Sequence, residues 1–267
     1  MKRHLMIAGT GRAGTTFLVQ YLHGCGLETH LTTHPKATTY EQANAGLEDV
    51  PIKGRRMPYV IKTPWLFEFV DRFLSRKDIA VDVAVLPMRD LVEVASSRVT
   101  LELRERYAKL RNPDVMEECT KWETWGKTPG GMVYSLNPID QARILAVGFH
   151  QVIHAFVKRG VPILFLDFPR MINDGDYLFQ QLKPYLGDGI DKSAAMEVFH
   201  SLAEPDRVRV GAEISQESPA VPTDEKPINF PSFESLDRAA LLRELKALKV
   251  ARLPLHKRLF RSRKRIR

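Results

Sequence analysis

Cysteine is nearly missing from this chain, with two in 267 residues, Cys25 and Cys119. Two are too few for a disulfide framework, and neither stands at metal-ligand spacing, so both are expected as ordinary packed side chains. Long apolar runs are missing as well. A bilayer span needs about 20 consecutive apolar residues, and no run approaches that length. The chain passes from Met1 almost directly into an apolar strand, leaving no stretch for a signal peptide, so a cytoplasmic location is the expectation. A third absence is charge on the body of the chain. The formal net charge is +8, but the last twelve residues, His256 to Arg267, hold seven Lys or Arg and no acid, so the rest is near +1. The basic balance belongs to the tail and gives no reason to expect specific nucleic-acid binding.

What is present reads as one globular domain over residues 1–250 followed by a basic tail, 251–267. The hydrophobic fraction is 44%, enough in a chain of 267 residues to bury a sizeable core. The tail mixes Leu255, Leu259, Phe260 and Ile266 with its cations. Such a mixture suits peripheral contact with an anionic membrane, and equally a solubilising tail or a clamp for an acidic partner.

The most telling absence is a single lysine. His4 to Ile7 reads as a short apolar strand, Ala8 to Gly14 as a glycine-rich turn, and Thr15 onward as a helix with Phe17, Leu18, Tyr21 and Leu22 at helical spacing. Gly9 and Gly14 stand at the two glycine positions of a phosphate-binding loop, G-x-x-x-x-G-K-[ST], and Thr16 fills the Ser/Thr slot. Thr15 occupies the lysine slot, and the nearest cation, Arg12, lies inside the loop. Backbone N–H groups of such a loop and the helix start after it cradle an anion without side chains, and Thr15 and Thr16 add hydroxyl donors.

Further along, Tyr59 to Lys62 predicts a short buried strand, with Thr63 capping a helix through about Leu74 and Pro64 in its first turn. Ile79 to Pro87 predicts a parallel-type strand, followed by Arg89-Asp90 and a helix from Leu91 to about Leu110. A helix from Asn137-Pro138 to Lys158, a strand over Ile163–Phe168, and helices near Tyr177–Leu186, Ser193–Leu202 and Leu236–Val250 complete the pattern. Residues 204–233 hold five prolines and read as a loop, and 111–136, with Trp122 and Trp125, as an insertion. Strands alternating with helices predict an α/β fold: three layers, a parallel sheet flanked by helices. Ligands in such sheets bind outside the carboxyl ends of the strands. The glycine loop, Lys62, Arg89-Asp90 and Asp167 all fall there. His150 and His154, four apart on one helix, have no third ligand nearby and read as packing or surface residues.

Gly9 to Leu18 resembles the 5′-phosphosulfate loop of the sulfotransferases that use 3′-phosphoadenosine-5′-phosphosulfate, a P-loop variant of the form P-[RK]-[SG]-G-[TS]-[TS]. Arg12 matches the basic position, while Gly11 replaces the proline and Ala13 the serine. A second element of that family is an Arg just after a strand with a Ser eight residues later, binding the 3′-phosphate; Arg89 and Ser97 have that spacing. Looser echoes are Leu164 to Met171 and Ile61-Lys62-Thr63-Pro64, so the likeness covers about residues 4–170. The resemblance implies a P-loop architecture in which Gly11, Arg12, Ala13, Gly14, Thr15, Thr16, Arg89 and Ser97 bind the co-substrate, 3′-phosphoadenosine-5′-phosphosulfate. It further implies Arg12 and Lys62 on the developing charge, a Glu or His as base, no catalytic metal, and a hydroxyl or amine acceptor on a carbohydrate or glycolipid. Glu41 is the first candidate base, with Glu48, His34 and Glu28 as rivals. Two other readings stand beside it. One is a small-molecule P-loop kinase using ATP and Mg²⁺, disfavoured by Thr15 and by the lack of a Walker-B acid other than Asp167 or Asp90. The other is a non-catalytic nucleotide-binding or scaffold protein.

Overall fold

Four parallel strands, β1 (Lys2–Ile7), β2 (Val60–Lys62), β3 (Ile79–Met88) and β6 (Ile163–Asp167), form one sheet in the order β2-β1-β3-β6. The computed structural model describes residues 1–39, 45–51, 57–109, 126–128, 131–133, 138–187 and 189–203. The chain divides into Met1–Pro222 and Thr223–Arg267, and every described residue lies in the first unit. A separate antiparallel pair joins β4 (Gly126–Thr128) to β5 (Gly131–Val133).

Because side chains alternate along a strand, β1 feeds two cores. Leu5 and Ile7 pack on one face against α1 (Thr15–Gly24), α7 (Gly175–Leu186) and α8 (Lys192–Leu202), through Phe17, Leu18, Leu178 and Phe199. Met6 packs on the other face with Ile61, Ala84 and Leu86. That face is covered by a 3₁₀ turn (Leu66–Glu68), α3 (Val70–Leu74) and α5 (Pro138–Lys158), through Leu66, Phe73, Val152 and Phe156. The expected parallel sheet with helices on both faces is what forms. Two short helices, α2 (His30–Thr33) and α6 (Arg170–Asn173), flank these layers, and α4 (Leu91–Lys109) packs Val94 and Ala95 on Ala142 and Leu145 of α5.

Two features of the sheet position the site. First, chain order reverses at β1: β2 lies on one side and β3 on the other, and the end of β1 is where a doubly wound sheet is expected to take its ligand. Secondly, Ile7 pairs with Lys62 on one side and Val85 on the other, so β3 runs on through Leu86, Pro87 and Met88 after β1 has ended. Arg89 is therefore carried out alongside the glycine loop. One expectation fails here. Thr63 does not cap a helix, because its N–H donates to the Ile7 carbonyl at 2.9 Å and extends the β1–β2 ladder; a turn and the 3₁₀ segment follow before α3 begins.

His4 is fully buried in β1, with Nδ1 2.8 Å from the Pro58 carbonyl. A carbonyl only accepts, so Nδ1 carries the proton of a neutral ring. Burial holds the His4 pKa below its ordinary 6.5, with Lys2 adding to the effect against the backbone hydrogen bonds. The unfolded chain thus binds a proton that the folded chain resists. The stability His4 contributes is complete above pH 6.5 and is lost as pH falls below it. Denaturant unfolding through the mildly acid range should show wild-type stability falling with a slope of up to about 1.4 kcal/mol per pH unit from this proton, reduced in His4→Leu. An unchanged slope in the variant would refute this origin.

Candidate functional site

The loop between β1 and α1 takes a backbone path that few sequences allow. Gly9, Gly11, Arg12 and Gly14 have φ of 127°, 67°, 54° and 71°. Three are glycines, for which the left-handed region is open, but Arg12 is held there as a non-glycine residue. Gly14 caps α1 with no side-chain hydrogen bond, and no acid stands in the helix's first turn. Among the described residues, the first N–H groups of α1 therefore have neither an intrahelical partner nor a side-chain cap, an arrangement that favours an anion.

Arg12 and Ser97, eighty-five residues apart, meet directly: Arg12 Nε donates to Ser97 Oγ at 3.2 Å. Arg89 Nη1 donates to the Arg12 carbonyl at 3.0 Å, its Nε pairs with Glu93 Oε2 at 3.0 Å, and its guanidinium lies over the Phe168 ring, 5.3 Å from the centroid. Arg98, one residue beyond Ser97 on α4, is buried and donates from Nη2 to the Thr10 carbonyl. Two expected anion ligands, Arg89 and Ser97, are thus both tied to the loop. Asp90 does something else: its Oδ1 accepts from the N–H groups of Val92 and Glu93 and caps α4. Asp167 ends β6 opposite Met88 and is exposed, with its N–H bonded to the Tyr177 hydroxyl.

Behind the loop lies Lys62, 1% exposed. Its ammonium donates to Thr16 Oγ1 at 2.8 Å, to the Gly46 carbonyl, and to Glu48 Oε1 at 3.2 Å. Three donors meet three acceptors. The segment that supplies Gly46 and Glu48 is pinned further by Asp49, which takes the Lys62 N–H at 3.0 Å, gives its own N–H to the Lys62 carbonyl at 2.7 Å, and pairs with His30 Nδ1 at 2.9 Å. Burial pulls the Lys62 pKa down, opposed by Glu48 and Asp49 and reinforced by Arg12.

Among the candidate bases, Glu41 lies outside the described residues, as do Trp122, Trp125 and the basic tail. Glu48 sits on Lys62 at the back of the loop. Glu28 pairs with Lys2 at the start of β1, and exposed His34 stacks on His30 with ring centroids 4.5 Å apart. His150 and His154 stack on the exposed side of α5, and among the described residues no group of three or more His, Cys, Asp or Glu could hold a metal ion. Nor, among them, is any helix long and apolar enough to cross a membrane. Arg98 and Asp49 escape a reading of the sequence. A cation inside the run Val94 to Leu101 was the available signal for Arg98, and its contact with Thr10 depends on tertiary packing. No protein-family model matches the chain, and no curated protein matches it.

Two outcomes follow from this geometry. An added Cβ at Gly14 would lie 2.4 Å from Met171 Cε and 3.2 Å from the Phe168 ring, whereas at Gly26, also left-handed at φ 86°, it meets nothing within 4 Å. Gly14→Ala should therefore destabilise by about 1–3 kcal/mol and by more than Gly26→Ala, for which the backbone term alone is about 1 kcal/mol. Equal shifts in thermal midpoint would refute the steric account. The depressed Lys62 pKa means that the unfolded chain binds more protons below 10.5, so its contribution to stability is complete above that pH and declines as pH falls. The stability of wild type relative to Lys62→Met should rise with pH and level off near 10.5; a difference independent of pH would show that Lys62 keeps its ordinary pKa.

Proposed function

We propose that this chain is a sulfotransferase of P-loop architecture, moving a sulfuryl group from 3′-phosphoadenosine-5′-phosphosulfate to a hydroxyl or amine of a carbohydrate or glycolipid acceptor. The observation that carries this is the hydrogen bonding of two distant motifs into one cationic loop: Arg12 to Ser97, and Arg89 to the Arg12 carbonyl. The residues fit the group. The left-handed loop and the start of α1 offer N–H donors for the 5′ end, while Arg89 and Ser97, each hydrogen-bonded to Arg12, are proposed for the 3′-phosphate.

When bound, the co-substrate supplies a sulfuryl group whose sulfur–oxygen bond to the 5′-phosphate breaks as the acceptor oxygen or nitrogen attacks in line. Charge then grows on the departing phosphate, and Arg12 with the loop N–H groups is set to stabilise it. Lys62 contributes through Thr16, whose hydroxyl it fixes. The acceptor proton goes to a base, for which Glu41 is proposed, with Glu48, paired to Lys62 behind the loop, as its rival. The basic tail is proposed to make peripheral contact with anionic membrane from the cytoplasmic side.

The kinase reading is disfavoured by one contact. In P-loop enzymes the Ser/Thr hydroxyl ligates Mg²⁺. Here Thr16 Oγ1 accepts from the Lys62 ammonium at 2.8 Å, which sets a positive charge against a second cation there. Calorimetric titration with 3′,5′-ADP and with ATP–Mg²⁺ tests the proposal. Binding of 3′,5′-ADP, weakened about tenfold or more by Arg89→Ala, is expected. Preference for ATP–Mg²⁺ would sink it. Binding of 3′,5′-ADP without sulfation of any carbohydrate or lipid acceptor would favour a non-catalytic binding protein.

A further inference from the structure

Arg98 has no part in the reaction outlined above, although it lies 2% exposed against the loop. It follows Ser97 on α4, and its Nη2 donates to the Thr10 carbonyl. Arg89, just ahead of the same helix, donates to the Arg12 carbonyl at 3.0 Å. Two carbonyls, two residues apart in one loop, are each drawn toward an arginine at the α4 side.

A planar trans peptide sets its C=O and the following N–H on opposite sides of the bond. Drawing the Thr10 carbonyl toward Arg98 therefore turns the Gly11 N–H away from it. Drawing the Arg12 carbonyl toward Arg89 turns the Ala13 N–H away likewise. The backbone between them is left-handed at both Gly11 (67°) and Arg12 (54°), a path that a non-glycine residue keeps only where its surroundings hold it. Successive N–H groups turned out of a tight loop make an anion-binding concavity.

We propose that Arg98 is a positioning residue of the anion site, holding the Thr10–Gly11 peptide so that the Gly11 N–H joins that of Ala13 in receiving the 5′-phosphate end of the nucleotide. This rests on the sulfotransferase reading for the ligand's identity, while the loop's grip on a phosphate-like anion is tested separately. The residue does not touch the reacting atoms; it acts through the Thr10 carbonyl. Its signature is a loss confined to ligands that carry a group for the loop.

The experiment titrates the full chain, as wild type, Arg98→Met and Arg98→Lys, with 3′,5′-ADP, adenosine 3′-monophosphate and inorganic pyrophosphate. In Arg98→Met, 3′,5′-ADP and pyrophosphate should bind about tenfold more weakly, while adenosine 3′-monophosphate changes by less than about twofold. Arg98→Lys keeps a charge and a donor for the Thr10 carbonyl, and should recover part of the loss. An equal loss for both nucleotides, or none, overturns the proposal. If wild type binds pyrophosphate but not 3′,5′-ADP, the sulfotransferase reading falls; a pyrophosphate loss in Arg98→Met still supports the positioning role, and its absence overturns that role. Wild type binding none of the three overturns both. Should Arg98→Met fail to fold by circular dichroism, Arg98→Lys decides. A loss of about threefold for 3′,5′-ADP with adenosine 3′-monophosphate unchanged supports the role, and parallel changes in the two overturn it.

Discussion

The ammonium of Lys62 ties together the end of β2, the first turn of α1 and the segment 45–49. A charge taken this far from water costs several kcal/mol unless its donors are met. Thr16 Oγ1, the Gly46 carbonyl and Glu48 meet all three, and none of the three can move far without exposing the others to that cost. The segment that bends to supply two of these partners is itself bent sharply, with Gly46 at φ 130° and buried Leu47 at φ 61°. Asp49 then locks it to both the β2 backbone and His30. The back wall of the glycine loop is thus a closed set of ionic and backbone contacts.

The front of the loop depends on a difference in strand length. Val85 pairs with Ile7, yet β3 continues to Met88 before Arg89 leaves the sheet. Those additional residues bring Arg89 level with the Arg12 carbonyl, and the Asp90 cap then fixes the start of α4. With α4 fixed, Ser97 and Arg98 fall two turns along it, against Arg12 and Thr10. A sheet with β1 and β3 ending together would leave the loop without its arginine frame.

Much of this was legible in the chain because the signals are local. The apolar runs His4–Ile7 and Ile79–Pro87 mark strands wherever they fold, and glycines at 9, 11 and 14 mark a turn of unusual φ. The resemblance implies that the loop and the Arg89–Ser97 motif serve one ligand, two motifs that no local rule connects, but not that Arg12 bonds Ser97 directly. What stayed hidden depends on what meets what. Thr63 looked like a helix cap, and only the β1 carbonyl that captures its N–H shows otherwise. Lys62 reads as the cation that ends a short buried strand, and the sequence does not show what encloses its ammonium, a segment thirteen to sixteen residues earlier that folds back over it. The left-handed Arg12 breaks the usual preference for glycine, and such conflicts between local preference and fold gather where a site is held in shape.

A P-loop lysine is a mobile cation on a flexible stem, reaching a ligand whose outer phosphates are also held by a metal ion. With Thr15 in that slot, this chain distributes positive charge differently. Arg12, Arg89 and Arg98 each have a hydrogen bond to a fixed oxygen within or beside the loop, so their guanidinium groups are set before any anion arrives. The hydroxyl that would face a metal is occupied by Lys62. Fixed cations lose little entropy on binding and suit charge that develops at one place, whereas a triphosphate spreads its charge along a chain and relies on a metal to gather it. On the proposed function, threonine in the lysine slot and the burial of Lys62 are two parts of one arrangement, a loop that meets a compact anion with arginine and backbone N–H groups.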